Sequence, residues 1–451
     1  MFDLGIIGGG PAGYVAAERA AQKGLTVVLF DKRKLGGVCL NEGCIPTKTL
    51  LYTAKLYDQA RDGDKYGIHC EQVTFDLGKI MQRKNKVVTK LVAGIAAALK
   101  RGNVEVVNRH ASIHSRAADH IKIEAGDTLY ECRNILLATG SEALIPPIPG
   151  LDRNQIMTNR EILEISEIPQ SLTIIGGGVI GMEFASFFNS IGSRVTVIEM
   201  MEEILGSTDR ELSTMLRQEL AKKGIAFHLG SKVTRIQGKA VFFEKAGQTS
   251  SVTSAEILVS VGRKPVTDGY NLEALGVELV RGAVKTDERC RTNVPNVYAA
   301  GDINGISLLA HTASREGEVA VNHICGIPDR MRYDAIPSVV YTNPEISSVG
   351  LTEEEAKAKN IKYRITSLPM AYAGRFVAEN EGRNGLVRIL TGEKYNEILG
   401  VHMIGNPSSE MIYGAAMMIE MQMRVKDVEQ IVFPHPTVSE IIKETLFTLH
   451  D

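Results

Sequence analysis

One supersecondary unit occurs twice in this chain, and that repeat restricts its possible folds more than any other feature. Leu4-Gly5-Ile6-Ile7-Gly8-Gly9-Gly10-Pro11-Ala12-Gly13 leads through a helical pattern to Thr26-Val27-Val28-Leu29-Phe30-Asp31. Leu172-Thr173-Ile174-Ile175-Gly176-Gly177-Gly178-Val179-Ile180-Gly181 leads the same way to Arg194-Val195-Thr196-Val197-Ile198-Glu199. Gly8, Gly10, Gly13, Gly24 and Asp31 return as Gly176, Gly178, Gly181, Gly192 and Glu199, each 168 positions later. Each copy reads strand, G-x-G-x-x-G, helix, strand, acid. The first glycine permits a tight turn, the second lets backbone approach a pyrophosphate, and the third lets the helix pack on the strand. The helix N-terminus then offers N–H groups and a favourable dipole to the anion. The acid, 18 residues past the last glycine in both copies, accepts hydrogen bonds from ribose hydroxyls. Two such units predict two bound dinucleotides, or one and a vestige.

The second acid opens an acidic stretch. Met200, Met201, Glu202 and Glu203 come after Glu199, with no Arg or Lys before Arg210. A ribose 2′-phosphate needs a cation there, so the second site is predicted to take NAD(H) rather than NADP(H).

Composition narrows the remaining classes. At ~150 residues per domain, 451 residues suggest three domains. Lys+Arg number 51 against 53 Asp+Glu, so no basic excess exists to hold nucleic acid. No apolar run reaches the length of a membrane span. Phe2-Asp3-Leu4-Gly5-Ile6-Ile7 runs straight into a strand, which predicts no secretory leader and a cytoplasmic location. Six cysteines are too sparse for a secreted disulfide scaffold.

Two of them form Cys39-Leu40-Asn41-Glu42-Gly43-Cys44. The C-x4-C spacing, with no second pair, is unlike a zinc site, and no metal is expected. On a regular helix, residues five apart rise about 7.5 Å, too far for a disulfide, so a bond would need a distorted turn. Gly36, Gly37 and Gly43 make such a turn accessible. Beside a dinucleotide site the pair reads as a redox couple, against the alternative of coincidence. Lys48 lies four residues past Cys44 and can share its helix face, where an ammonium favours thiolate. Cys70, Cys132, Cys290 and Cys325 read as buried small hydrophobes.

These motifs together resemble the flavoprotein pyridine nucleotide-disulfide oxidoreductase family over essentially the whole chain, most closely its lipoamide-oxidising branch. The resemblance implies an FAD site at Gly8, Gly10, Gly13 and Asp31, and an NAD site at Gly176, Gly178, Gly181 and Glu199. Leu137-Ala138-Thr139-Gly140 and Val261-Gly262-Arg263-Lys264-Pro265 resemble its two strand-end crossings. Ala299-Ala300-Gly301-Asp302 resembles its second FAD contact, and Ala310-His311 lies where a helix points at the flavin. Phe433-Pro434-His435-Pro436-Thr437-Val438-Ser439-Glu440 resembles its C-terminal signature. By this resemblance Cys39 exchanges with substrate, Cys44 faces the flavin, and Lys48 and Glu183 pair beside it. His435 acts as base, oriented by Glu440 and supplied by the other subunit of a homodimer. The implied partner is a lipoyl-bearing carrier protein or domain, with no lipoyl domain expected within this chain.

Other readings of the same residues stay open. Thr437-x-x-Glu440 fits a helix capping box, Lys48 and Glu183 fit solvated charges, and His311 fits a core histidine. Phe433-Pro434 stands where the family has His-Ala. Glu42 stands where an apolar residue is commoner, and its charge is expected to raise the thiol pKa. The sequence around Cys44 and the acidic loop after Glu199 favour lipoamide over a glutathione-type reductase. The absence of any cysteine after Cys325 disfavours reductases with extra C-terminal redox residues. A nucleotide-binding redox sensor without turnover is the alternative of a different class.

The expected fold is α/β: two Rossmann-like dinucleotide-binding domains plus a C-terminal α+β dimerisation domain. The FAD domain is placed at 1–145, the NAD domain at 146–264, a central part completing the FAD site at 265–333, and the interface domain at 334–451. In the last, Val339-Val340-Tyr341, 386–390 and 398–403 read as antiparallel strands, with Met411–Glu420 and Val438–Leu446 as helices.

Overall fold

The computed structural model describes residues 1–450, which fall into two units. The first comprises Met1–Thr49, Gly78–Leu144 and Gly262–Arg332; the second comprises Leu50–Leu77, Ile145–Val261 and the chain from Tyr333 onward.

The sheet of the first unit runs in the order Glu105–Val107, Val27–Phe30, Phe2–Ile7, Thr128–Leu137, Ile121–Ala125, Ser112–Arg116, with Val297–Ala299 also beside Thr128–Leu137. Phe2–Ile7 lies parallel to Val27–Phe30 and to Thr128–Leu137, while Ser112–Arg116 and Ile121–Ala125 form an antiparallel meander. Strands covered on both faces need apolar side chains throughout. Val27–Phe30 is buried at every position, as are the last four residues of Phe2–Ile7. Gly5 is the exception in size: a Cβ there would stand 2.6 Å from the Cys132 sulfur. The helices Pro11–Gln22 and Ala310–Ile324 pack through small residues, since a Cβ on Gly317 would stand 2.6 Å from the Ala12 carbonyl oxygen.

The second unit holds the second copy of the repeat. Its parallel sheet runs Ala226–His228, Arg194–Ile198, Ser171–Ile175, Glu256–Val259, with the helix Val179–Ser190 as crossover. The same unit carries an antiparallel sheet in the order Ser338–Val340, Ile346–Gly350, Ile398–Ile404, Leu386–Gly392, Tyr363–Pro369. The helices Ser408–Glu420 and Glu440–Phe447 bury Met411, Ile412, Met418, Ile441, Ile442 and Leu446 against it. Complete burial of each such side chain is worth ~1.5–3 kcal/mol. Met417 and Met421 of the same methionine-rich stretch face outward. The expected α/β class with a C-terminal α+β part is the one observed. Among the described residues, no helix is long and apolar enough to cross a membrane.

Candidate active site

Both glycine-rich turns have the form that a bound pyrophosphate requires. Gly8 (φ 113°) and Gly176 (φ 106°) occupy conformations open to glycine. A Cβ on Gly13 would collide with the Gly8 carbonyl, and one on Gly181 with that of Gly176, so the third glycine sets helix against strand in each copy. Gly10 and Gly178 are the N-caps of their helices, and neither provides a side-chain cap. A Cβ on Gly178 would meet nothing within 4 Å. In the second copy, no side chain therefore crowds the N-cap where first-turn N–H groups would meet a phosphate. Asp31 accepts from Gly9 N–H (2.8 Å) and Arg33 N–H (2.7 Å); Glu199 accepts from Gly177 N–H (2.6 Å) and Met201 N–H (2.7 Å). Each acid is thereby fixed beside its turn. The residues fit dinucleotides at both places.

The cysteines lie in the first unit, at the junction of two helices. Gly36 (φ 95°) and Gly37 (φ 57°) are left-handed and open the short helix Gly37–Glu42. Gly43 ends that helix, and Cys44 begins Cys44–Arg61. The break replaces the regular helical spacing that would hold residues five apart out of bonding range. Asn41 Nδ2 clamps the turn by donating to the carbonyls of Leu35 (3.0 Å) and Gly37 (2.9 Å). A Cβ on Gly37 would stand 2.6 Å from Gly10 Cα, so the cysteine helix lies directly on the first glycine-rich turn.

Cys39 and Cys44 are half-buried, and no disulfide joins them. A hydrogen bond with Cys44 pushes the Cys39 thiol pKa well up, burial adds to this, and the Lys48 ammonium pulls against it. Burial followed by the charge of both sulfurs also pushes the Tyr14 hydroxyl up, which marks Tyr14 as a neighbour of the couple. Glu42 has a partner of its own. Arg33 Nη1 reaches its two carboxylate oxygens at 3.2 and 3.4 Å, so its charge is balanced, and the upward push on Cys39 comes from Cys44 and burial.

Other expected FAD residues of the first unit lie in one polar chain. Gly140 and Gly262 flank a two-strand ladder of Ser141–Ala143 with Arg263–Pro265. Arg263 Nε donates to Ser141 Oγ (2.7 Å), and Ser141 Oγ donates to Asp302 Oδ2 (2.5 Å). Burial raises the Asp302 pKa, while the Ser141 hydrogen bond and the Arg263 charge oppose that rise. Gly301 N–H donates to Glu316 Oε2 (2.6 Å), and Asn304 Nδ2 to Oε1 (2.9 Å). Glu316, fully buried, anchors the turn that presents Asp302. Ala310 opens its helix, and His311 is exposed on the first turn rather than in the core.

In the second unit, His435 Nδ1–H donates to Glu440 Oε1 at 2.8 Å, with the imidazole exposed. Glu440 Oε2 accepts from Thr437 N–H (2.8 Å), but Thr437 Oγ1 donates to the Pro434 carbonyl instead of capping the helix. Half a capping box is present, and the same carboxylate orients the imidazole. The Thr437 N–H, then His435, hold the Glu440 pKa below its usual value. Glu183 is buried and accepts from Tyr341 N–H (3.1 Å), so it is no solvated face charge. Of the remaining cysteines, Cys132 and Cys290 are buried as expected, whereas Cys70 is exposed and Cys325 partly so.

Sequence reading missed Ser141, Glu316, Asn41 and Arg33. Their partners are 161, 15, 6 and 9 residues away. Only Asn41, inside the cysteine motif, had a local signal.

Residues 2–317 match the pyridine nucleotide-disulphide oxidoreductases, and residues 336–446 match the dimerisation domain of that group. A dihydrolipoyl dehydrogenase of Bacillus subtilis is 37% identical over 99% of this chain and 98% of its own. The mitochondrial dihydrolipoyl dehydrogenase of Pisum sativum is 37% identical over 100% and 91%. A leghemoglobin reductase of Glycine max is 36% identical over 100% and 88%. Among solved structures, LpdA of Mycobacterium tuberculosis superposes with a TM-score of 0.91 at 27% identity, covering 99% of each chain. These matches run over essentially the whole chain, which belongs to the pyridine nucleotide-disulphide oxidoreductase family.

Proposed function

We propose that this protein is an FAD-containing, NAD-dependent dihydrolipoyl dehydrogenase, which oxidises dihydrolipoyl groups through a Cys39–Cys44 disulfide. The observation that carries this reading is the cysteine turn lying on the first glycine-rich turn, with a Cβ on Gly37 only 2.6 Å from Gly10 Cα. Identity of 37% to a dihydrolipoyl dehydrogenase over 99% of the chain supports the choice of substrate.

FAD is held by Gly8, Gly10, Gly13, Asp31, Gly301 and Asp302, and NAD by Gly176, Gly178, Gly181 and Glu199. When bound, FAD would supply two-electron redox chemistry beside the cysteine pair, and NAD would supply hydride chemistry at the second site. The chain's own groups manage sulfur and protons. His435, its Nδ1–H held by Glu440, takes the proton from a dihydrolipoyl thiol. The resulting thiolate attacks Cys39 of the disulfide, and the S–S bond breaks with Cys44 leaving as thiolate. The second lipoyl sulfur displaces Cys39, so the lipoyl disulfide closes and two cysteine sulfurs remain reduced. Lys48 stabilises negative charge beside Cys44. The working form is a cytoplasmic homodimer, with His435 supplied by the other subunit. The carrier is a lipoyl-bearing protein or domain.

A direct comparison on purified yellow protein tests this reading. NADH oxidation with lipoamide is expected to exceed that with glutathione disulfide by orders of magnitude. A colourless preparation that cannot be reconstituted with FAD, or preference for glutathione disulfide, overturns it. His435→Gln is expected to lower dihydrolipoamide oxidation by ~10²–10⁴-fold, the range for losing a general base, with FAD still bound.

A further inference from the structure

The loop after Glu199 hides a cation that the linear sequence does not reveal. Positions 200–209 contain no Lys or Arg. Yet Arg217, on the helix Arg210–Lys222, folds back onto this loop and grips Glu203. Its Nε lies 2.9 and 3.1 Å from the two carboxylate oxygens, and Nη2 lies 3.0 Å from Oε2. Thr214 Oγ1 donates to Oε2 (2.9 Å), and Ile204 N–H donates to Oε1 (2.9 Å). The Glu203 side chain is only 14% exposed. Burial alone would raise its pKa, but the Arg217, Ile204 and Thr214 hydrogen bonds outweigh burial and hold it below the usual range.

This clamp adjoins the nucleotide cradle. Leu205 N–H donates to the Gly177 carbonyl at 2.9 Å. A Cβ on Gly177 would stand 3.2 Å from both the Ile204 side chain and Glu199 Oε2. Ile204 and Leu205, which directly follow Glu203, therefore share the glycine-rich turn with the ribose acid. A guanidinium recognises phosphate through its planar fork of donors. In Arg217 that fork is occupied by a carboxylate.

We infer that Glu203 is a specificity-determining residue: by engaging Arg217 it withholds the guanidinium from a ribose 2′-phosphate, and so enforces NAD over NADP together with Glu199. This deepens the proposed function and rests on its assignment of NAD to the second site. Exclusion then has two layers. Glu199 repels the phosphate, and Glu203 removes the cation that would compensate for it. Glu203→Ala leaves Arg217 without its carboxylate partner beside the loop.

Four proteins test this: wild type, E203A, R217M and the E203A/R217M double variant. Two ratios are read for each. One is kcat/KM with NADPH over that with NADH; the other is affinity for 2′-phospho-ADP-ribose over ADP-ribose by calorimetry, which needs no turnover. E203A is expected to raise both ratios about tenfold or more, the size of one charge-assisted contact. R217M and the double variant are expected to raise neither. An unchanged ratio in E203A overturns the inference. So does an equal rise in R217M or the double variant, since a loosened loop would then suffice. If E203A does not fold, E203Q, which keeps the side-chain volume, is expected to raise both ratios in the same direction, and no rise overturns the inference. Preference of the wild type for NADPH would overturn the NAD assignment itself, and it is seen before any variant is made.

Discussion

The neighbouring Cys44 sets the environment of the Cys39 thiol. The hydrogen bond between them, then burial, raises the Cys39 thiol, while Lys48 draws negative charge toward the pair. Cys39→Ser and Cys44→Ser are each expected to abolish dihydrolipoamide oxidation. Both should still allow NADH to reduce an artificial dye through FAD, since the glycine-rich turns are untouched. Dye reduction lost along with lipoamide turnover would show that the cysteines hold the fold rather than relay electrons. Glu42 is a related case. Its charge looked threatening in sequence, but Arg33 gives it a partner from outside the motif.

Between elements, contact distance governs. The helix Gly37–Glu42 meets the turn before Pro11–Gln22 at a point with no room for a side chain. Gly37→Ala would put a methyl carbon 2.6 Å from Gly10 Cα, at a φ of 57° that side chains rarely adopt. Overpacking of this kind costs ~1–3 kcal/mol, and here the displaced backbone also forms the phosphate cradle. Gly37→Ala is expected to lower both the melting temperature and the FAD retained through gel filtration. Retention equal to wild type would show that the cradle tolerates the displacement. Conversely, Gly24→Ala is expected to leave FAD retention near normal, because a Cβ there meets nothing within 4 Å and only the strained φ of 81° is affected.

At the scale of the whole molecule, a buried polar joint ties the second repeat to the C-terminal sheet. Arg388 on Leu386–Gly392 contacts Asp209, Glu211 and Glu353, and Asp209 caps the helix Arg210–Lys222. His402, opposite Arg388 in the ladder, is wholly buried, with Nε2 on the Leu351 carbonyl at 2.9 Å. Burial is the main cause that pushes its pKa below 6.5; the Leu351 hydrogen bond and Asp209 oppose it, Arg388 adds to it, and Glu355 opposes it. A histidine depressed in the folded state binds its proton first in the unfolded chain, so stability falls as pH drops below about 6.5. The wild type is therefore expected to lose melting temperature between pH 7.5 and 5.5, and His402→Gln to lose less. Equal losses would assign the pH dependence to other groups. The same scale divides the legible features from the hidden ones. Sequence by itself determined the two dinucleotide folds and marked the acid beside each glycine-rich turn and the paired cysteines, because those depend on local spacing along strand, turn and helix. It also indicated the C-terminal strands, whose apolar patterns are contiguous. Only tertiary structure decided which charges are neutralised. Arg33 on Glu42, Arg217 on Glu203, Glu316 under Gly301 and Arg388 on Asp209 all join residues on different elements. Coulomb energy depends on distance in space and on exclusion of water, and neither is written in the order of the residues.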